Sequence, residues 1–267
     1  MVKNGVDASK WQGSIDWQKA KNNCVEFAII RSGWGKESPS QKDKLFEQNY
    51  SGCKSVEIPI GTYHYSYADS ISDAKSEAAF CLKNIAGKQF EYPVILDVED
   101  RTMLALSTRL RTDICKAFCE VIEDAGYYAM IYCSLDWYRN KLYGDELAKK
   151  YDIWLAQWNV EKPAVNCGLW QKSDCGKIDG ILGNVDLNVA YKDYPNVIKS
   201  KGLNGFNSGS SNSPATSYNT YGVKKGDTLW VISEKLLGSG SKYKQIMELN
   251  SLASDVIFPG QVLKIPR

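Results

Sequence analysis

Short apolar runs recur through the first part of the chain, separated by stretches whose apolar residues have helical spacing, the alternation expected of repeated βα units. The runs are Gly5-Val-Asp-Ala8, Phe27-Ala-Ile-Ile-Arg31, Ile58–Tyr65, Pro93–Asp97, Tyr128–Cys133, Ile153–Trp158 and Leu169–Gln171, with Val185–Asn188 as an eighth. Helical spacing is clearest at Leu110, Ile114, Phe118, Val121, Ile122 and Ala125, and Cys115 and Cys119 border that stripe. After Trp154 helical patterns are weak or absent. The pattern predicts an α/β barrel of eight strands with helices between only the earlier ones. It is a shortened relative of the (β/α)₈ type, since a full one takes about 250 residues.

From Lys199 to Asn219 the pattern disappears into Gly, Ser and Asn, the composition of a flexible tether. Three regions are therefore expected: a barrel over residues 1–198, a linker over 199–219 and a small domain over 220–267. In the last, Leu229, Ile232 and Leu236 make one short helical face, with Asp227 or Thr228 placed to cap it. Tyr243, Ile246, Met247 and Asn250 make a second face, and short strands at Tyr221–Val223 and Val262–Ile265 complete a βααβ pattern.

Candidate chemistry concentrates where the fourth run ends. Pro93-Val-Ile-Leu-Asp-Val-Glu-Asp100 closes on two acids spaced i, i+2, which a strand puts on one face with Cα atoms roughly 6.5 to 7 Å apart. Two carboxyls at that spacing suit a glycosidic bond, one protonating the leaving oxygen and the other stabilising or attacking the anomeric carbon. An isolated D-x-E is more often a strand end with solvated acids, so the rest of the chain has to decide. In barrels of this kind catalytic groups sit at the C-terminal strand ends. Asp7, Asp97, Glu99 and Asp186 all fall at or near such ends, and acids gathered at one mouth raise each other's pKa, which keeps one protonated near neutral pH.

Composition narrows the classes. With 43% hydrophobic residues over 267 positions the chain is globular, and a net charge of +2 gives no field that would favour nucleic acid. No segment approaches 18 consecutive apolar residues, so no membrane insertion is expected, and the N-terminus lacks the apolar stretch of a signal peptide, which predicts synthesis in the cytoplasm. Eight cysteines without a C-x-x-C pair and a single histidine, His64, make a metal site improbable, and no cofactor is expected. The thiols are expected reduced and mostly buried, although Cys167 and Cys175 could bridge a hairpin in an oxidising medium. His64 neighbours Tyr63 and would face the other side of the same strand, in a structural role.

The residues Gly5-Val-Asp-Ala-Ser-Lys-Trp-Gln-Gly-Ser-Ile-Asp-Trp17, Phe27–Gly33, Gly61-Thr-Tyr-His-Tyr65, Pro93–Glu99, Trp154-Leu-Ala-Gln-Trp158, Leu169-Trp-Gln171 and Val185-Asp-Leu-Asn188, in this order, resemble the glycoside hydrolase family 25 lysozymes. The resemblance implies an irregular (β/α)₅β₃ TIM-like barrel that cleaves the β-1,4 bond between N-acetylmuramic acid and N-acetylglucosamine in bacterial peptidoglycan. Carried over by position, Glu99 is the general acid, Asp97 the nucleophile or the stabiliser of a substrate-assisted route, and Asp7 and Asp186 the further acids. Tyr63, Tyr132 and Trp158 are substrate-binding aromatics by the same comparison, and each could equally be core. The C-terminal region, with Gly226-Asp-Thr-Leu229 and Phe258-Pro-Gly-Gln-Val-Leu-Lys-Ile-Pro266, resembles the LysM module, which implies glycan binding in a groove formed by Gly226, Asp227, Thr228 and Leu229 with Ile257 and Pro259. Gly226 and Asp227 also read simply as turn and cap. Cytoplasmic synthesis with a wall substrate suggests a phage or prophage endolysin that lyses bacteria after release. The alternatives are a catalytically silent peptidoglycan-binding protein and a chitinase-like hexosaminidase.

Overall fold

The computed structural model describes residues 2–36, 38–206, 218–250, 252 and 254–266, and the chain divides into two compact units, Met1–Gly209 and Ser210–Arg267. In the first, eight strands close a barrel in sequence order: β1 (Lys3–Ala8), β2 (Phe27–Trp34), β3 (Ile60–Tyr65), β4 (Val94–Asp97), β5 (Ala129–Ser134), β6 (Asp152–Ala156), β7 (Leu169–Gly176) and β8 (Val185–Ala190). Neighbours run parallel from β1 through β7, whereas β8 pairs antiparallel with both β7 and β1.

The apolar runs are continuous because each strand is covered on both faces. Phe27, Ile29, Ile95, Met130, Trp154 and Leu169 fill the barrel interior. The alternate residues Ala28, Ile30, Val94, Leu96, Ile131, Ile153 and Leu155 belong to the outer layer, where the helices pack. Those helices are α1 (Trp17–Asn22), α2 (Phe46–Ser55), α3 (Ile71–Ile85), α4 (Thr108–Asp124) and α5 (Gly144–Ala148). Helix α4 starts at Ser107, whose side chain accepts from Leu110 N, and buries Ile114, Cys115, Phe118, Cys119 and Ile122. The helix stops at Asp124, which leaves Ala125, expected on its stripe, exposed as the cap residue.

Two expectations about the second half of this unit need correction. A short helix, α6 (Tyr194–Ser200), does follow the last strand. The residues after it, expected to begin the tether, close the base of the barrel: Leu203 and Phe206 pack on the inner core, and Asn204 is fully buried. Asn204 takes a left-handed φ of 55°, donates to Phe90 O and Tyr92 O at 3.0 and 2.8 Å, and accepts from Tyr128 N at 2.7 Å. An Asn suits this place because it tolerates that backbone and carries both donors and an acceptor. Of the rest of the expected linker, residues 207–217 lie outside the described residues, and Tyr218 and Asn219 belong instead to the first strand of the second unit.

The second unit contains β9 (Tyr218–Gly222), α7 (Leu229–Leu237), α8 (Tyr243–Leu249) and β10 (Val262–Pro266), with β9 and β10 antiparallel. Its core is Val223, Leu229, Ile232, Ile246, Leu263 and Ile265, with Leu237 packed against it, while Leu236, expected on the buried face, is 42% exposed. By the 3.6-residue helical period 236 lies on the face of 229, 232 and 233, so its exposure comes from its place in the last helical turn, where Leu237 is the residue that packs on the small core. Ser233 is buried, donating to Ser239 O at 2.7 Å.

Candidate active site

Strand β1 alternates, with Val6 and Ala8 in the outer layer and Gly5 and Asp7 turned inward. A side chain at Gly5 would strike the Phe27 ring, so the strand can approach β2 only as glycine. Asp97 is the last residue of β4 and faces inward by the same period. Ser66 N bonds Asp97 O at 2.9 Å and Val98 N bonds Tyr132 O at 3.1 Å, which keeps the chain extended for one more residue. Val98 therefore enters the outer core and Glu99 returns to the mouth. Asp100 then ends the extension by capping the turn at Thr102 N, 2.8 Å away.

Asp186 reaches the same mouth by a different route. It was expected at a C-terminal strand end, but it is the second residue of β8, and only because β8 is antiparallel does this end lie beside the ends of β1 and β4. The register sets Asp186 directly opposite Asp7. Directly opposite side chains in antiparallel strands have Cβ atoms about 5 Å apart, so the two carboxyls meet.

The electrostatics follow from this crowding. Asp7 is buried, and its Oδ2 accepts from Asn188 Nδ2 at 2.8 Å and from Gln171 Nε2 at 3.0 Å. Burial raises its pKa against those two bonds and a third from Asp186. Asp186 is pushed up to about 8 by burial, then by the charge of Asp7 and its hydrogen bond to it. One proton is thus held between the pair, on Asp186, and donated to Asp7. Asp97 is driven well above the carboxylate range by burial and then by the charges of Glu99 and Asp7, with Arg31 opposing. Glu99 opens onto solvent at the rim, yet enclosure of its carboxyl by the cleft raises its pKa first, and Asp186 and Asp100 add to this. Mutual repulsion, the cause that the sequence led one to expect, ranks behind burial at every one of the four. Asp97 Oδ1 is buried without a hydrogen-bond partner among the described residues.

The aromatics divide. Tyr63 and Tyr132 both pack edge-on against Trp154, at ring separations of 6.2 and 4.6 Å, and line the inner wall below the acids. Trp158 lies beyond the end of β6 and is 43% exposed. What joins them is Gln171, whose Oε1 accepts from Tyr132 OH at 3.1 Å and Trp158 Nε1 at 3.2 Å while Nε2 donates to Asp7 and, at 3.4 Å, to Asp186. An indole N–H can only donate, so Trp158 fixes which way the Gln171 amide lies. Trp154 Nε1, bonded to Asn188 Oδ1 at 2.8 Å, does the same for Asn188.

Gln171 and Asn188 received no role from the sequence, nor did Trp154 or the buried pair Arg31–Asp43 at 2.8 Å. A signal for the amides existed, because Asn188 shares the inward period of Asp186, and Gln171 lies directly opposite Asn188 in the β7–β8 register. His64 faces the outer layer as expected, stacked on Phe118 at 5.7 Å, and burial holds its pKa down to about 3. All eight cysteines are free, with Cys167 buried and Cys175 exposed. Among the described residues no group of three or more His, Cys, Asp or Glu is arranged to hold a metal ion. A depression of about 560 Å³ lies at the opposite end of the strands around Asp152 and Gly168. Asp152 there is occupied by Lys192, Tyr128 and Tyr194.

In the C-terminal unit Thr228 caps α7 by accepting from Val231 N at 3.2 Å. Asp227 accepts from Tyr221 OH and Lys224 N at 2.9 and 2.8 Å, and Gly226 adopts a φ of 91°. A depression of about 390 Å³ is lined by Thr228, Leu229, Trp230, Tyr243, Asp255 and Val256. Of the six residues expected to form the groove, Thr228 and Leu229 line it. Gly226 and Asp227 shape the turn before it, Ile257 packs on the core, and Pro259 is exposed.

Comparison with known proteins bears on both units. The sequence model described as Glycosyl hydrolases family 25 matches residues 6–181, and the one described as LysM domain matches residues 221–266. The uncharacterized protein YegX of Escherichia coli (strain K12) is 32% identical over 195 residues, covering 70% of this chain and 68% of that protein. Lysozyme M1 of Streptomyces globisporus is 30% identical over 199 residues, covering 69% of this chain and 66% of its own length. Among solved structures, the CTP1L endolysin superposes with a TM-score of 0.66 at 26% identity, over 74% of this chain and 70% of that one.

Proposed function

The chain belongs to glycosyl hydrolase family 25, carries a LysM domain and is a glycoside hydrolase of the lysozyme type, and from that premise we propose a peptidoglycan muramidase in which Glu99 is the general acid. The observation that carries this reading is the meeting of Asp7, Asp97, Glu99 and Asp186 at one mouth, with every one of their pKa values raised. Enclosure of four carboxyls in one space raises the proton affinity of each, and the most exposed of them is Glu99.

In the proposed reaction Glu99 gives its proton to the glycosidic oxygen between N-acetylmuramic acid and N-acetylglucosamine as that C–O bond breaks. The acetamido oxygen of the same muramic acid closes on the anomeric carbon. Asp97, whose buried Oδ1 has no partner, takes the acetamido N–H and holds the group in line. Water then attacks from the side the leaving group vacated, passing its proton to Glu99, and the configuration is retained. The charge of Asp7, fixed by Asn188 and Gln171, stabilises the positive centre. Tyr63, Tyr132 and Trp158 supply sugar contacts.

The LysM domain, through Thr228, Leu229 and the depression beside them, holds the chain on N-acetylglucosamine-containing strands and raises the local concentration of substrate. Similarity to the CTP1L endolysin supports action on the bacterial wall at lysis. Digesting purified peptidoglycan and chitin side by side tests the assignment: muramic acid at the new reducing ends is expected. Glucosamine ends favour a chitinase-like enzyme, and no cleavage favours a silent binder. An inverted anomer by proton NMR would contradict the retaining route.

A further inference from the structure

Beside the acids the mouth carries a second constellation that the reaction above leaves unused. Arg31 is the last inward residue of β2 and lies next to Tyr63 in the β2–β3 register. Its guanidinium sits 5.3 Å from the Trp34 ring centre. Lys10 Nζ lies 4.8 Å from the centre of the same ring and 4.7 Å from the centre of the Trp11 ring, and Trp11 is 76% exposed. Lys10 and Trp11 belong to the 3₁₀ turn that follows β1, so the row Arg31–Trp34–Lys10–Trp11 runs from the acids outward along the rim.

The row is built rather than incidental. Buried Asp43 ties Arg31 to the backbone of Lys10, accepting from Arg31 Nε at 2.8 Å and from Lys10 N at 3.1 Å. Asp43 neutralises Arg31, and the two cations differ in this respect: among the described residues the Lys10 ammonium makes no ion pair with any carboxylate. It is held between two indole faces, a setting that partly desolvates a cation and orients it while leaving its donors open. A large exposed indole next to an unspent ammonium is the arrangement that receives an anionic group on an otherwise apolar or sugar-like ligand.

We propose that Lys10 and Trp11 form an accessory subsite for the peptide stem of peptidoglycan, Lys10 pairing with a stem carboxylate while Trp11 covers the adjoining face of the strand. This rests on the muramidase reading for the identity of the polymer. It explains how a cleft carrying four acids accepts a strand whose stems are themselves anionic: the stem is drawn to the cationic side of the rim, away from Asp97 and Glu99. It also distinguishes the two cations, Arg31 serving the frame and Lys10 the ligand.

The test uses the full chain carrying Glu99→Gln, so that strands bind without turnover, and reads the NMR signal of the Trp11 indole N–H, which is local to this rim and separate from the LysM domain. Soluble stem-bearing strands are titrated in two forms, native and with their stem carboxyls converted to amides. Lys10→Met, which keeps an apolar stem between the two rings, is expected to weaken native strands about five- to tenfold and to leave the amidated strands unchanged. An equal change for both forms, no change for the native form, or a Trp11 signal that moves with neither would overturn the subsite. Cleavage by the chain with Glu99 intact is read separately. If neither strand is cut, the muramidase assignment fails, while the titration still decides whether Lys10 recognises stem carboxylates.

Discussion

Asp7 and Asp227 occupy opposite situations in the two units. Asp7 is buried, shares a proton with Asp186, and has its pKa raised by the loss of water. Asp227 is half-buried, accepts from a backbone N–H and a tyrosine, and has its pKa lowered by them. The first arrangement costs folding free energy and stores reactivity, because an enclosed acid gathered with three others holds a proton it would otherwise lose. The second stabilises a turn and stores nothing. On the proposed reading the barrel mouth is the place for chemistry, and the C-terminal unit, where Asp227 is spent on a turn, contributes grip.

The sharpest way to break this contrast is inside the mouth. Asp97→Asn keeps the volume and replaces the acidic carboxyl with an amide, and release of reducing ends from purified peptidoglycan is expected to fall about a thousandfold with the fold intact by circular dichroism. Turnover within a few-fold of the parent would mean that the buried acid is only packing. Next in size is Gln171→Glu, which replaces the donor to Asp7 and Asp186 by a fifth carboxyl. Activity should drop about ten- to a hundredfold, and the pH–rate profile should move to higher pH, since a fifth carboxyl raises the pKa values of the acids around it. An unmoved profile would show that the amide does not set the protonation of the pair.

Removing residues 220–267 probes the other half of the comparison. Retention on insoluble wall is expected to weaken by about two orders of magnitude, with rates on short soluble fragments unchanged. A matching loss on fragments would place part of the chemistry in the LysM domain.

A smaller effect separates the units by pH. Asp186 and Glu77, raised to about 8 and about 7 mainly by burial, hold protons in the folded state that the unfolded chain gives up at lower pH. Their stabilisation is complete below the unfolded values and is lost as pH rises through the folded ones. His64, held near 3 in the fold, opposes this only below the ordinary histidine range, so the window from pH 6.5 to 8 isolates the acids. The barrel transition should melt lower as pH rises across that window, with Asp186→Asn flattening the slope, while the LysM transition stays put. Smallest of all, Thr228→Ala should destabilise the C-terminal unit by about 1 kcal/mol through the lost cap, without changing fragment hydrolysis.

How much of this was legible depended on whether the information was local. Asp97 and Glu99 could be placed from the sequence because a period of two needs nothing beyond the run that contains them. The direction of β8 could not, since Val-Asp-Leu-Asn reads alike both ways, and the meeting of Asp186 with Asp7 depends on that direction. Gln171 and Asn188 became visible only through cross-strand register. Composition misled at Gly202-Leu-Asn-Gly-Phe206, where the residues that suggest a tether provide the left-handed backbone and amide that Asn204 uses to seal the barrel base. The proposed sugar wall was legible as a list of aromatics, but that Tyr132 and Trp158 are joined through one amide to the acids is a tertiary fact.

The central claim is that one proton on Glu99 performs the cleavage and that holding the wall is a separate property. It is tested most directly by Glu99→Gln, assayed in one preparation for release of muramic acid reducing ends and for retention on insoluble peptidoglycan. Turnover should disappear while retention matches the parent chain. Turnover that survives the substitution, or retention that disappears with it, would contradict the account.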